Sequence, residues 1–209
     1  LCEMTKHVKM LKSKTRNREN VLQRGFMMNL DEMRTDQAMK QKKGLHFILA
    51  SIIIWSAILF VQISPMRSDM KNLWTFCCSA PLMPLAFAIS KIIKIEFTNK
   101  GNPLTPLGIL FSLNQLIYLL IVMWVYPTVP GKMTMVLAMV FGAHLLPFGW
   151  LYKSKSYTVL SVIIPIAALA VGLNNPAYMV AGLMVLFEIA FSVLLLFEIR
   201  KMRCVNGHS

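Results

Sequence analysis

Negative charge is scarce in this chain. Its 209 residues carry nine Asp and Glu against 22 Lys and Arg, and charged residues of both signs make up only 15%. A soluble domain usually carries about 25%, so a water-soluble fold would lack the polar surface to cover itself. Cysteine is equally sparse: Cys2, Cys77, Cys78 and Cys204 have neither metal-ligand spacing nor the look of a disulfide framework, and they read as small apolar fillers. Signatures of chemistry are missing too. There is no His-Glu-x-x-His, no phosphate-cradling glycine loop, and no Gly-x-Ser inside the apolar stretches. No enzymatic activity, cofactor or metal is expected.

What is there is apolar: 56% of the chain is hydrophobic and the mean hydropathy is +0.57. These residues cluster in runs that match the roughly 20 helical residues needed to cross a hydrocarbon core. Six spans are expected, at 45–63, 73–93, 104–126, 133–152, 158–173 and 177–198. They are separated by "SPMRSDMKN", "TNKGNP", "YPTVPGK", "KSKSY" and "NNP", all rich in turn residues. The first is not a cleavable signal, because its apolar core is too long. The reading is an all-α polytopic membrane protein, a six-transmembrane-helix bundle with short loops over residues 45–199.

The net charge of +13 invites a nucleic-acid reading, which its distribution defeats: the basic residues lie in terminal segments and alternate loops, not along one groove. Eleven of them (Lys40, Lys42, Lys43, Lys91, Lys94, Lys100, Lys153, Lys155, Arg200, Lys201 and Arg203) fall on one side of the expected spans. Arg67, Lys71 and Lys132 fall on the other. That bias predicts both termini in the cytoplasm of a bacterial cell, with the spans in the cytoplasmic membrane. Trp74, Trp124, Tyr126, Trp150 and Tyr152 fall where interfacial aromatic belts sit.

Residues 1–27 form a basic arm with seven Lys and Arg against two Glu, and without it the net charge of +13 falls by five, to +8. "QRGFMM" can be read as a translated ribosome-binding site, so the expected start is Met27 or Met28 and residues 1–26 are expected to be dispensable. From 28 to 44 the expectation is a short amphipathic helix on the membrane surface. Asn29 and Glu32 have the spacing of a capping box, acids open the helix and lysines close it. Residues 200–209 are expected to form a cytoplasmic tail.

A weak repeat is visible. "SAPLMPLAFAISK" in span two aligns with "GAHLLPFGWLYKS" in span four, placing Pro84 on Pro147 and Phe87 on Trp150. This is consistent with a bundle built from related helical hairpins.

Polar residues are costly in lipid and usually face a bundle interior. Asn114 and Gln115 in span three, His144 in span four and Glu188 in span six fall at similar depth, and they form the expected ligand or proton site. Glu188 shares a helical stripe with Ala181, Met184 and Ser192. Gln115 shares one with Gly108 and Ser112, and span five repeats Ser161, Pro165, Ala168 and Gly172, the small-residue pattern of helix–helix contacts. Pro81 and Pro84 should kink span two. A lone buried carboxylate must be protonated, paired or wet. His144 therefore either shares a proton or cation with Glu188 or is a satisfied interior residue, for example one donating to a freed carbonyl. Asn114 and Gln115 equally fit simple interhelical hydrogen bonding.

"NPLTPLGILFSLNQLIYLLIVMWVY" and "FGAHLLPFGWLYKSK", within residues 28–200, resemble a family of small uncharacterised multi-span membrane proteins of Gram-positive bacteria. The resemblance implies architecture and no site residues. Two functional readings stay open. One is a small transporter or ion-coupled permease working on a small solute or ion. The other is a non-enzymatic membrane module, such as a sensor, an immunity factor or a partner subunit. The lipid bilayer is the expected surrounding, a protein partner or homo-oligomer remains possible, and nucleic acid is not expected.

Overall fold

In hydrocarbon a backbone must satisfy its own N–H and C=O groups, so long apolar runs fold as helices. A computed structural model describes residues 29–99 and 101–206, and the described residues are helical throughout with no strand. The basic arm and the expected late start lie outside them. Helix α1 is Leu30–Lys40, followed by a single turn at Lys42–Gly44. Then come α2 (Leu45–Ile63), α3 (Ser68–Ser79), α4 (Leu82–Ile92), α5 (Thr105–Thr128), α6 (Met133–Ala143), α7 (Leu145–Leu151), α8 (Lys155–Asn174) and α9 (Ala177–Asn206). Among the described residues five stretches are long and apolar enough to cross a membrane, or six if α3 and α4, bent by 42°, count as one broken span. The chain is a multi-pass membrane protein.

The capping box of α1 forms: the Asn29 side chain accepts from the first turn and Glu32 accepts from the Asn29 N–H at 3.0 Å. Two details go beyond the expected bounds. The last helix continues to Asn206, so Arg200, Lys201 and Arg203 sit on its final turns. Span four crosses as one stretch, Pro130–Leu151, with its helix interrupted by a single turn residue at His144. Pro147, three residues on, has no N–H to give the Ala143 carbonyl.

Burial follows the small-residue stripes. On α9, Ala181, Met184 and Glu188 have no exposed surface and Ser192 has 6%, and this stripe packs against α2 and α8. On α8, Ser161, Ala168 and Gly172 are buried towards α6. A Cβ on Gly142 of α6 would stand 2.6 Å from Pro165 and 2.7 Å from Ile164, so only hydrogen lets these two backbones approach. Helix α5 is the least embedded, touching mainly α6 and exposing Ile109, Leu113, Leu116, Ile117 and Leu120.

Candidate functional site

One end of the bundle is held by a dense polar network, and α1 is its centre. Asp36 accepts from Asn99 (2.7 Å) and Asn102 (2.9 Å) and pairs with Lys40 at 2.9 Å. Burial pushes the Asp36 carboxyl up, but the bonds from Lys40, Asn102 and Asn99 together outweigh it and hold it below its ordinary value. Arg34 grips the Trp150 carbonyl at the end of α7 through two nitrogens, at 2.8 and 2.5 Å, and lies over the indole ring. Gln37 and Ala38 turn inward while Leu30 and Met39 stay exposed. The polar face of α1 therefore docks on protein, and its thin apolar edge faces outward.

Beyond α1 the chain turns through Lys42, Lys43 and Gly44, all at positive φ. Lys43 enters the bundle and pairs with Glu198 at 2.7 Å. The same carboxylate accepts from Ser154 Oγ, Ser156 Oγ and the Ser156 N–H at the start of α8. One acidic residue thereby joins the first, fifth and sixth spans. Nothing in the sequence pattern singled out Glu198, because an acidic residue near a span end reads as a solvated group.

Below this network lies a cavity of about 150 Å³ between α2, the α3–α4 break, α5 and the α6–α7 break. Ser79, Ala80, Leu82 and Met83 face it from one break, Phe141, His144 and Leu145 from the other, and Ser112 and Gln115 from α5. Pro81 and Pro84 carry no N–H, which leaves the Cys77 and Ala80 carbonyls without their usual helical donors. Towards α1 the cavity is closed by Tyr152 and Tyr157. Their hydroxyls are already engaged: Tyr152 donates to Gln41 Oε1 at 2.7 Å and Tyr157 to the Lys43 carbonyl at 3.0 Å. Tyr152 is therefore not a belt residue as its position suggested; it is 3% exposed.

Glu188 stands one side chain behind the wall, bonded to Ser51, which lines the cavity. Its Oε1 has no partner among the described residues. Ser51 Oγ also lies 2.8 Å from the Ile48 carbonyl, yet a hydroxyl has one proton to give. A protonated carboxyl resolves the conflict: its O–H serves Ser51 while Ser51 serves Ile48. An ionised Glu188 needs Ser51 to turn from Ile48 to it. Ser51 is thus a two-position relay between the carboxyl group and the backbone.

Of the residues proposed from sequence, Gln115 and His144 reach the cavity wall directly and Glu188 reaches it through Ser51. His144 does not bond Glu188. Its Nδ1 donates to the Phe141 carbonyl, leaving Nε2 as an acceptor. Asn114 is not part of the wall. Sequence reasoning missed Ser51, Tyr152 and Tyr157, since one serine in an apolar run and two tyrosines at span ends carry no distinctive pattern. Among the described residues no three His, Cys, Asp or Glu side chains converge as metal ligands.

The fold and cavity define a small polytopic membrane protein with a largely apolar, aromatic-lined pocket that a few polar side chains reach. The profile of a family of unknown function, DUF7010, matches residues 30–198, and the chain belongs to that family. Neither a curated protein nor a solved structure matches it.

Proposed function

We propose that this protein is a small ion-coupled carrier whose solute site is the cavity between the two helix breaks. The observation behind this reading is the placement of Ser51 and Glu188. A fully buried carboxyl group with one unpartnered oxygen abuts a cavity through a hydroxyl that can bond only one of two acceptors at a time. Isolated charge is prohibitive at this depth, so Glu188 changes protonation state only together with a change in what the cavity holds. Broken helices around a cavity near the membrane midplane also suit a carrier, because irregular backbone in a membrane is tolerated where it lines such a space.

The orientation proposed is both termini on the cytoplasmic side of a bacterial membrane. Lys40, Lys42, Lys43 and Lys153 gather around α1 and its contacts, while Lys132 lies at the opposite end, bonded to the Gly172 and Leu173 carbonyls. A reporter active only in the cytoplasm should be silent when fused at Gly131 and active at Ser154. The reverse pattern overturns the orientation.

The test of function uses the purified protein in liposomes with a trapped pH dye, challenged with small neutral, anionic and cationic solutes. At least one solute class should drive proton movement. Glu188→Gln, which keeps size and folding, should abolish it, and His144→Ala should weaken it. Their effects should be non-additive, since residues serving one site couple by about 0.5–3 kcal/mol. If Glu188→Leu is stable and as active as the wild type, the carrier reading fails. A membrane module whose polar residues are merely structural would then be the better description.

A further inference from the structure

We propose that the cavity binds a small organic ammonium ion, caged by aromatic rings and balanced by Glu188; this rests on the cavity being the carrier's solute site. Six aromatic side chains line it: Phe47, Trp55, Phe141, Phe148, Tyr152 and Tyr157. Because both tyrosine hydroxyls already donate, to Gln41 and to the Lys43 carbonyl, what these residues offer a guest is chiefly ring surface. Aromatic faces carry partial negative charge and attract cations, the basis of cages for quaternary ammonium groups. No Lys or Arg lines the cavity, and the buried lysine nearest its roof, Lys43, is neutralised by Glu198. An anion would meet ring faces and a carboxyl group with no cation to offset it. A neutral solute would leave the buried carboxyl without a purpose. A cavity of about 150 Å³ takes a ring of roughly benzene size, so the guest is a small alkylammonium ion or at most one benzene-sized ring carrying a short ammonium arm, as in benzylammonium.

Charge balance supplies the coupling. When the cation arrives, the Glu188 O–H ionises, its proton leaves to solvent, and Ser51 turns from the Ile48 carbonyl to the new carboxylate. One positive charge enters as another departs, so the interior never holds an unpaired ion. Helix α9 packs on α2, α8, α6 and the Lys42–Gly44 turn. The titratable groups on these elements are His46 of α2, with neither ring nitrogen bonded among the described residues, Tyr157 of α8 with Lys155 at its start, and Lys42 and Lys43 of the turn, bonded to the Ile93 carbonyl and to Glu198; α6 has none. On α9 itself, Tyr178, Glu198, Arg200, Lys201 and Arg203 lie towards the ends. His144 stands at the α6–α7 break. None of these groups bonds Glu188, so the exchange is confined to Glu188 and Ser51.

Isothermal titration of the detergent-purified protein with benzylammonium, benzyl alcohol and benzoate separates the possibilities, because the three differ mainly in charge. Benzylammonium should bind about tenfold or more tighter than benzyl alcohol, equivalent to about 1.4 kcal/mol, and benzoate should not bind. Glu188→Gln should remove the preference while leaving benzyl alcohol affinity unchanged, which also shows that the variant is folded. Tetramethylammonium, which has no proton of its own, should release a proton into weak buffer from the wild type and none from Glu188→Gln. Equal affinity for benzyl alcohol and benzylammonium, or a benzylammonium affinity indifferent to Glu188→Gln, overturns the proposal. Binding without flux in liposomes would defeat the carrier reading and leave the ligand class standing. Flux of another solute without ammonium binding would do the opposite.

Discussion

The span built from α3 and α4 breaks at Ala80–Pro81, and the span built from α6 and α7 breaks at His144. These positions nearly coincide when "SAPLMPLAF" is laid on "GAHLLPFGW". Both breaks face the same cavity, but their outer sides differ. Around His144 the chain is clamped. Gly142 is pressed on Ile164 and Pro165, and a Cβ on Gly149 would meet Thr158 at 2.6 Å. Around Pro81 there is no glycine, and Ala80, Met83 and Pro84 are exposed, although α4 packs on α2 through the buried Ala86. Proline opens a helix in both places, and small residues decide whether the opening is fixed. The clamped break is a wall. The other has fewer fixed contacts on its outer side.

The largest effect should come from attacking the clamp. Gly142→Val should destabilise the protein by about 3 kcal/mol or more in detergent melting, at or above the usual range for overpacking, whereas Ala80→Val at the exposed break should change stability by less than about 1 kcal/mol. Comparable losses at both positions would mean that the two breaks are equally constrained. A smaller but more informative effect is expected from healing the breaks. With Pro81 and Pro84 both replaced by Ala, α3 and α4 should fuse and lose their 42° bend. Spin labels at Met70 and Lys91 would then move apart and solute response would fall. Pro147→Ala should leave the His144 break in place, because Gly142 and Gly149 still fix the two half-helices. The smallest effect concerns α1, which ties both halves together by gripping Trp150 on one side and Asn99 and Asn102 on the other. Asp36 is held below its ordinary pKa, so its contribution to stability is complete above the unfolded value near 3.8 and is lost as pH falls through the lower folded value. Amide exchange in α1 should therefore rise in that acidic window while the spans stay protected.

How much of this could be read from the residues follows from what drives each part. The spans were legible because hydrocarbon demands length and apolarity together, and span one ends where expected, at Ile63. That Gln115, His144 and Glu188 would gather around one space was legible because polar residues are rare enough in these spans to count. Their partners were not. Glu188 could have met any group at its level, and pairing it with Ser51 requires knowing that α9 packs on α2. The contacts of α1 were hidden for a related reason. Its leucine and methionines suggested a membrane-surface helix, and Leu30 and Met39 are exposed while Met33 is half-buried, but what positions it on the bundle is the amide and carboxylate set Gln37, Asp36, Asn99 and Asn102. Side-chain amides in loops have no periodicity to reveal such a match.

Lys42, Lys43 and Gly44 hold φ values of 43°, 51° and 71° in succession. Glycine accepts that region without penalty, whereas each lysine is strained by about 1–2 kcal/mol. The joint between α1 and the first span is therefore a wound spring. It is kept cocked by three fastenings: Gln41 to Tyr152, Lys42 to the Ile93 carbonyl, and Lys43 to Glu198. Together they hold α1 beside the two tyrosines that line the cavity. Replacing Lys42 with Gly would relieve the strain at that position but also remove the bond to the Ile93 carbonyl, so its two effects on the joint oppose each other.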